Sequence, residues 1–149
     1  MTTTKIRYKE GDVFRIEVTH TEAAFGVVCR VGRKGRNIFL AYFYEHFPDG
    51  RSGTHPIDVM RCYDKHLTSG RWKIVGSIQP WDRDAWPTPR FWWQMPPSTT
   101  IALIELDDED PSVQTSSRFV TEAPPDAFAG GAVTGGDVVE EKLRRKLQA

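Results

Sequence analysis

Few residues in this chain combine the type and spacing that bond-making chemistry needs. Cys62 has His55 and His66 on either side of it in sequence, which allows a thiol–imidazole pair. An activated thiol needs a base at hydrogen-bond distance and a third group to orient that base. Nothing in the sequence selects the third group, and a buried thiol with two surface histidines explains the same pattern. Asp82 and Asp84 form a carboxylate pair within Trp81-Asp82-Arg83-Asp84-Ala85-Trp86. Two carboxylates can act as general acid and base, but alternation with Arg83 suits a solvated loop. Gly32-Arg33-Lys34-Gly35 is basic and glycine-rich. It precedes a predicted strand, so no helix N-terminus faces an anion there, and a hairpin turn accounts for it. The sequence contains no G-x-S-x-G, H-E-x-x-H or G-x-x-x-x-G-K-[ST] motif. Its four His and two Cys show no C-x-x-C or H-x-x-x-H spacing. The expectation is a chain with no catalytic residues, no metal and no cofactor.

Recognition chemistry is better represented. Trp81 and Trp86 flank a loop that continues into Pro87 and Pro89. Such a pair either folds over a sheet or forms an exposed aromatic patch, and Trp is enriched among residues that dominate binding energy. Arg30, Arg33, Lys34 and Arg36 cluster around one hairpin, close to Tyr42 and Tyr44 on the next predicted strand. Basic and aromatic residues on a small β-barrel can bind single-stranded nucleic acid. The whole chain argues against that partner: 20 Lys+Arg balance 20 Asp+Glu, whereas such binders carry a positive excess. Asp107-Asp108-Glu109-Asp110 is either a solvated strand exit or an electrostatic lure for a basic partner.

The elements that must position these residues are mostly strands. Alternation over 12–18 puts Phe14, Ile16 and Val18 on one face. The β-branched run 25–31 and the apolar run 37–44 predict two more strands, and short connections make the three an antiparallel meander. Loop chemistry follows over 47–53 and 66–70, with one or two helical turns expected over 57–63. Alternation returns over 71–76, with Trp72 and Ile74 on one side. Pro80, Pro87 and Pro89 exclude an α-helix over 80–89. Segments 91–95 and 101–106 predict further strands. Residues 111–136 are rich in Ser, Thr, Pro, Gly and Ala without periodicity, so most of 107–136 is expected to be an extended connection. A helix is expected from Asp137, its N-cap, with Glu140 three residues on and Val139, Leu143 and Leu147 as an apolar stripe.

The fold class so predicted is mainly β (α+β): a strongly bent antiparallel sheet or small half-barrel of five to six strands with a C-terminal helix. The organisation is a β-rich domain over 1–106, an acidic and Pro/Gly/Ser/Thr-rich connection over 107–136, and the helix over 137–149. The chain's 149 residues suit one domain, and one of that size buries about 70% of its unfolded surface. Charge is uneven along it: residues 1–94 hold 15 Lys+Arg against 10 Asp+Glu, and the remainder holds 5 against 10. All five Trp, all four Tyr and six of the eight Phe precede residue 95, which places the core in the first two-thirds. No apolar run approaches the roughly 18–20 residues that span a bilayer, and the first residues lack a signal-peptide core. Two Cys in such a chain predict reduced thiols and a cytoplasmic location.

The ordered set Lys9-Glu10-Gly11-Asp12-Val13-Phe14-Arg15-Ile16, then Phe25-Gly26-Val27-Val28, then Arg71-Trp72-Lys73-Ile74-Val75-Gly76 and a Pro/Trp loop resembles the immunity protein 26 family of bacterial polymorphic toxin systems. The resemblance covers roughly residues 9–106. The matching residues have scaffold roles: Gly11-Asp12 in a turn, Phe14 and Ile16 in the core, Trp72 as a large anchor. The resemblance therefore implies a short, cytoplasmic, β-rich protein that is not an enzyme. It implies one that binds a cognate toxin domain and neutralises it. On that reading Trp81, Trp86, Trp92 and Tyr44 are the expected partner anchors, and Asp49, Asp82, Asp84, Asp107 and Asp108 supply charge. A polar rim around aromatic anchors suits a binder that must choose one partner.

Overall fold

The computed structural model describes residues 4–33, 37–48, 55–94 and 96–148. Five strands form a fully antiparallel sheet: β1 (Asp12–Glu17), β2 (Ala23–Val31), β3 (Ile38–Tyr44), β4 (Asp58–Tyr63) and β5 (Lys73–Ser77), in the order β4-β3-β2-β1-β5. The short helix α1 (Lys65–Thr68) links β4 to β5. A second sheet holds β6 (Phe91–Gln94), β7 (Ile101–Leu106), β8 (Gln114–Val120) and β9 (Phe128–Ala129), in the order β8-β7-β6-β9. Its pairs are antiparallel except β6 with β9. Helix α2 (Gly136–Gln148) closes the chain. The mainly β prediction with a C-terminal helix holds; the strands form two sheets, and neither closes into a barrel.

The middle of the first sheet is covered on both faces, which explains the near-continuous apolar runs of β2 and β3. On β3, Phe39, Ala41 and Phe43 enter one core with Phe14, Ile16 and Trp72, and Val139 and Leu143 of α2 cover it. Leu40, Tyr42 and Tyr44 enter a second core with Val13, Val27 and Cys29. There they meet Phe91, Ile104 and Leu106 of the second sheet, and Trp86 of the intervening loop. Gly26 is required in the first core, because a Cβ there would stand 2.2 Å from the Phe14 ring.

Three segments differ from the sequence reading. Residues 57–63 do not form helical turns: 58–63 is strand β4, paired with β3 from Phe43↔Asp58 to Ile38↔Tyr63. Met60 and Cys62 enter the first core, while Val59 enters the second. With both faces buried, no polar–apolar alternation marks the strand. The predicted loop over 66–70 begins inside helix α1. The stretch expected to be an extended connection contains β8 and β9. β8 is exposed along six of its seven residues, so burial leaves no imprint on its sequence. Cys29 and Cys62 are both free and buried.

The segment after β9 joins the two sheets. β9 pairs with β6, and Thr134 then bridges Cys62 of β4 in parallel, accepting from Tyr63 N (3.0 Å) and donating to Arg61 O (2.9 Å) through its backbone. Gly131 lies between these contacts with φ +116°, and a Cβ there would stand 2.6 Å from Ile104 Cδ1. A residue with a side chain would suffer both the unfavourable φ and the clash.

Candidate functional site

The Trp loop is folded onto the sheet by hydrogen bonds from two directions. Trp86 is 3% exposed, and its Nε1 donates to the Tyr44 hydroxyl at 2.9 Å. The Tyr42 hydroxyl donates to the Pro87 carbonyl at 2.5 Å. Trp81 stacks on Trp86 with ring centres 5.1 Å apart, and its Nε1 donates to Glu10 Oε1 at 3.3 Å. Trp86 and Tyr44 are therefore core residues, and Trp81 is half-buried. The indole N–H and the phenol supply each other's partner, which is what burial of those groups demands.

Arg83, at the tip of the loop, is a four-way tie. It donates to Glu10 Oε1 (3.1 Å), Asp108 Oδ2 (3.3 Å), the Asp108 carbonyl (2.6 Å) and Glu109 Oε1 (2.8 Å). Arg30, whose side chain is only 3% exposed, donates from Nε to Asp108 Oδ1 at 3.0 Å. The Thr88 hydroxyl donates to the same oxygen at 2.7 Å. That hydroxyl bond first, and then Arg30 and Arg83, hold the Asp108 carboxyl below the usual carboxylate range. Arg33 pairs with Glu109 at 2.9 Å. The acidic run thus meets the basic hairpin within the molecule: Asp108 and Glu109, together with Glu10, pair with Arg30, Arg33 and Arg83. Asp107 accepts from the Glu109 amide at 3.2 Å.

The other expected contact residues are dispersed. Asp82 and Asp84 are exposed, and Asp82 caps the short 3-10 turn over 83–85 by accepting from the Asp84 amide at 3.1 Å. Trp92 is half-buried on β6. Asp49 lies outside the described residues, as do Lys34 and Arg36. The thiol–imidazole pair does not form. Cys62 is fully buried, its Sγ approaches the Met60 carbonyl at 3.7 Å, and burial pushes its thiol pKa far up. His66 turns instead to Asp137 Oδ1 at 2.8 Å.

His66, Asp137 and Glu140 bring ligand atoms within 4.8 Å of one another. Arg71 and Trp72 already occupy Glu140, at 2.6 Å from Arg71 Nη2 to Oε1 and 3.0 Å from Trp72 Nε1 to Oε2. This group clamps the first turn of α2 to the sheet.

A concave feature that the sequence does not reveal lies between the two sheets. A cleft of about 450 Å³ is bordered by Arg61 of β4, Trp93 of β6, Ile104 of β7, Gln114 of β8, Gly131 and Lys142 of α2. Arg61 is 8% exposed and donates from Nε (2.9 Å) and Nη2 to the Gly131 carbonyl and from Nη1 to the Pro111 carbonyl (3.2 Å). Among the described residues no carboxylate pairs with Arg61 or Lys142. Burial lowers the Arg61 pKa, because a desolvated cation loses hydration that carbonyl dipoles replace only in part. Trp93 is 44% exposed beside it. Arg61 and Lys142 come from segments 81 positions apart in sequence. Only the bridge at Thr134 and the packing of α2 bring them together, so no local motif could mark them.

Among the described residues no helix is long and apolar enough to cross a membrane. A family profile with the description Immunity protein 26 matches residues 9–100. No curated protein and no solved structure matches the chain.

Proposed function

The chain belongs to the Immunity protein 26 family, and from that premise we propose that it binds one cognate toxin domain in the bacterial cytoplasm and neutralises it by a stable protein–protein contact. The observation that carries this reading is the family match itself, which runs from the turn before β1 to the residue before β7 and so takes in the whole first sheet and β6 of the second. The geometry supports binding over catalysis. The thiols are buried, and Trp86 is sealed against Tyr44. The acids at 108 and 109 are committed to internal pairs, so they serve to shape the surface. Of the residues expected to touch a partner, Asp82, Asp84, Asp107, Trp92 and Trp81 remain within its reach. The basic hairpin gives no support to nucleic-acid binding, since Arg30 and Arg33 face acids of the same molecule.

The test is growth rescue. The C-terminal domain encoded beside this chain's gene is expressed in a sensitive host, with and without this protein. Rescue together with co-purification of the two as a stoichiometric complex is the expected outcome. Killing that proceeds regardless, with no complex, would remove the proposal.

A further inference from the structure

We propose that the cleft between the two sheets is the toxin-contact site, and that it receives an acidic side chain of the toxin domain between Arg61 and Lys142, with Trp93 packing on the apolar residues around that acid. This rests on the toxin-binding reading above and adds to it a place, a charge and a partner chemistry.

Three observations converge on the cleft. The first is an uncompensated buried cation. Arg61 is 8% exposed, yet its three hydrogen bonds all end on backbone carbonyls, of Gly131 and Pro111. A guanidinium carries five N–H donors, so both Nη atoms retain capacity for an incoming acceptor. Buried charges are as a rule paired, and an arriving carboxylate supplies the missing partner in the planar geometry that Arg matches best. The second is Lys142, which borders the same cleft and, among the described residues, has no ion pair. On the same helix Arg144 and Arg145 take Glu141, and Lys146 takes Asp58. The cleft therefore presents two positive charges and, among its bordering residues, no negative one. The third is the apolar wall. Trp93, 44% exposed, and Ile104 border the cleft from the second sheet. An aromatic anchor beside desolvated charge is the composition of residues that dominate interface energy. A volume of about 450 Å³ accommodates a few side chains.

Charge complementarity selects the occupant. A basic segment would meet two like charges, and a purely apolar one would leave Arg61 without a counter-charge. An acid flanked by apolar residues satisfies both the cations and the Trp93 wall.

The experiment measures affinity between the full chain and the toxin domain encoded beside it, by titration calorimetry. Lys142→Glu and Trp93→Ala alter half-buried and exposed side chains, so circular dichroism and thermal melting are expected to match the wild type. Each is expected to weaken binding about tenfold or more. Charge-reversing each acidic residue of the toxin in turn should find one whose Lys variant binds Lys142→Glu better than it binds the wild type. Equal binding by wild type, Lys142→Glu and Trp93→Ala would overturn the cleft proposal while leaving the toxin reading intact. No binding by the wild type would overturn both. A wild-type dimer in light scattering that Trp93→Ala makes monomeric, with toxin affinity unchanged, would assign the cleft to a second copy and overturn the proposal.

Discussion

Trp86 and Tyr44 show how one hydrogen bond decides the role of an aromatic residue. A Trp in a Pro-rich loop can face a partner or face the core, and composition does not choose between them. The 2.9 Å bond from Trp86 Nε1 to the Tyr44 hydroxyl satisfies the only polar atom of the indole, which frees the ring to be 97% removed from solvent. Trp86→Ala should therefore lower the free energy of unfolding by about 3–5 kcal/mol, read from urea titration. Its effect on toxin affinity in buffer should be small wherever the variant is still folded. A large loss of affinity in a fully folded Trp86→Ala protein would show that the indole acts as a contact. Asp108 makes a related point. In sequence it is one acid in a run of four; in the structure it accepts from Arg30, Arg83 and Thr88 and ties the hairpin to the loop.

At the scale of elements, the decisive piece is the segment from β9 to Thr134. It is short and has only two large apolar side chains, Phe128 and Val133, yet it pairs with β6 on one side and bridges β4 on the other. Gly131 allows this because its backbone lies directly on Ile104 and Phe91, where a Cβ would stand 2.6 and 3.0 Å away. Its carbonyl also takes two donors of Arg61. Gly131→Ala should destabilise the protein by about 1–3 kcal/mol from the positive φ alone, with the clash added. It should also speed amide hydrogen exchange in β9 and β4 more than in β1. Exchange that stays unchanged in β4 would show that the clip does not hold the sheets together. Helix α2 is positioned by a separate device. Its stripe of Val139 and Leu143 supplies the burial, while Arg71, Trp72 and His66 fix the first turn through Glu140 and Asp137.

At the scale of the whole molecule, the first sheet is a central layer with a core on each side. Cys29 belongs to one core and Cys62 to the other, and both are 0% exposed. Burial pushes both thiol pKa values up, so at neutral pH neither presents the thiolate that alkylating reagents attack. Iodoacetamide at pH 8 should leave both thiols unmodified in the native protein and modify both in urea, the two rates rising together across the unfolding transition. Faster labelling of Cys62 alone would reveal local opening of β4 and α2 below the global transition.

The sequence by itself determined the elements whose environment is one-sided or uniform. β1 alternates because one of its faces is the richer in large apolar groups, and β2, β3 and β7 are apolar because burial dominates them. The helical stripe of Val139, Leu143 and Leu147 follows from docking on one side. These signals also carried the family resemblance, since Phe14, Gly26 and Trp72 do scaffold work that local composition records. Tertiary structure alone decided the rest. β4 is buried on two faces and contains Arg61, so its period-2 pattern is masked, while β8 is exposed and carries no pattern. The cleft needs Arg61, Trp93 and Lys142 from three elements joined by a bridge at Thr134, and long-range pairing leaves no periodic trace in a single chain. The fate of the charges was hidden for the same reason. Whether Asp108 faces solvent, a partner or Arg30 depends on which strands neighbour each other, and that is settled by packing over 78 positions of sequence.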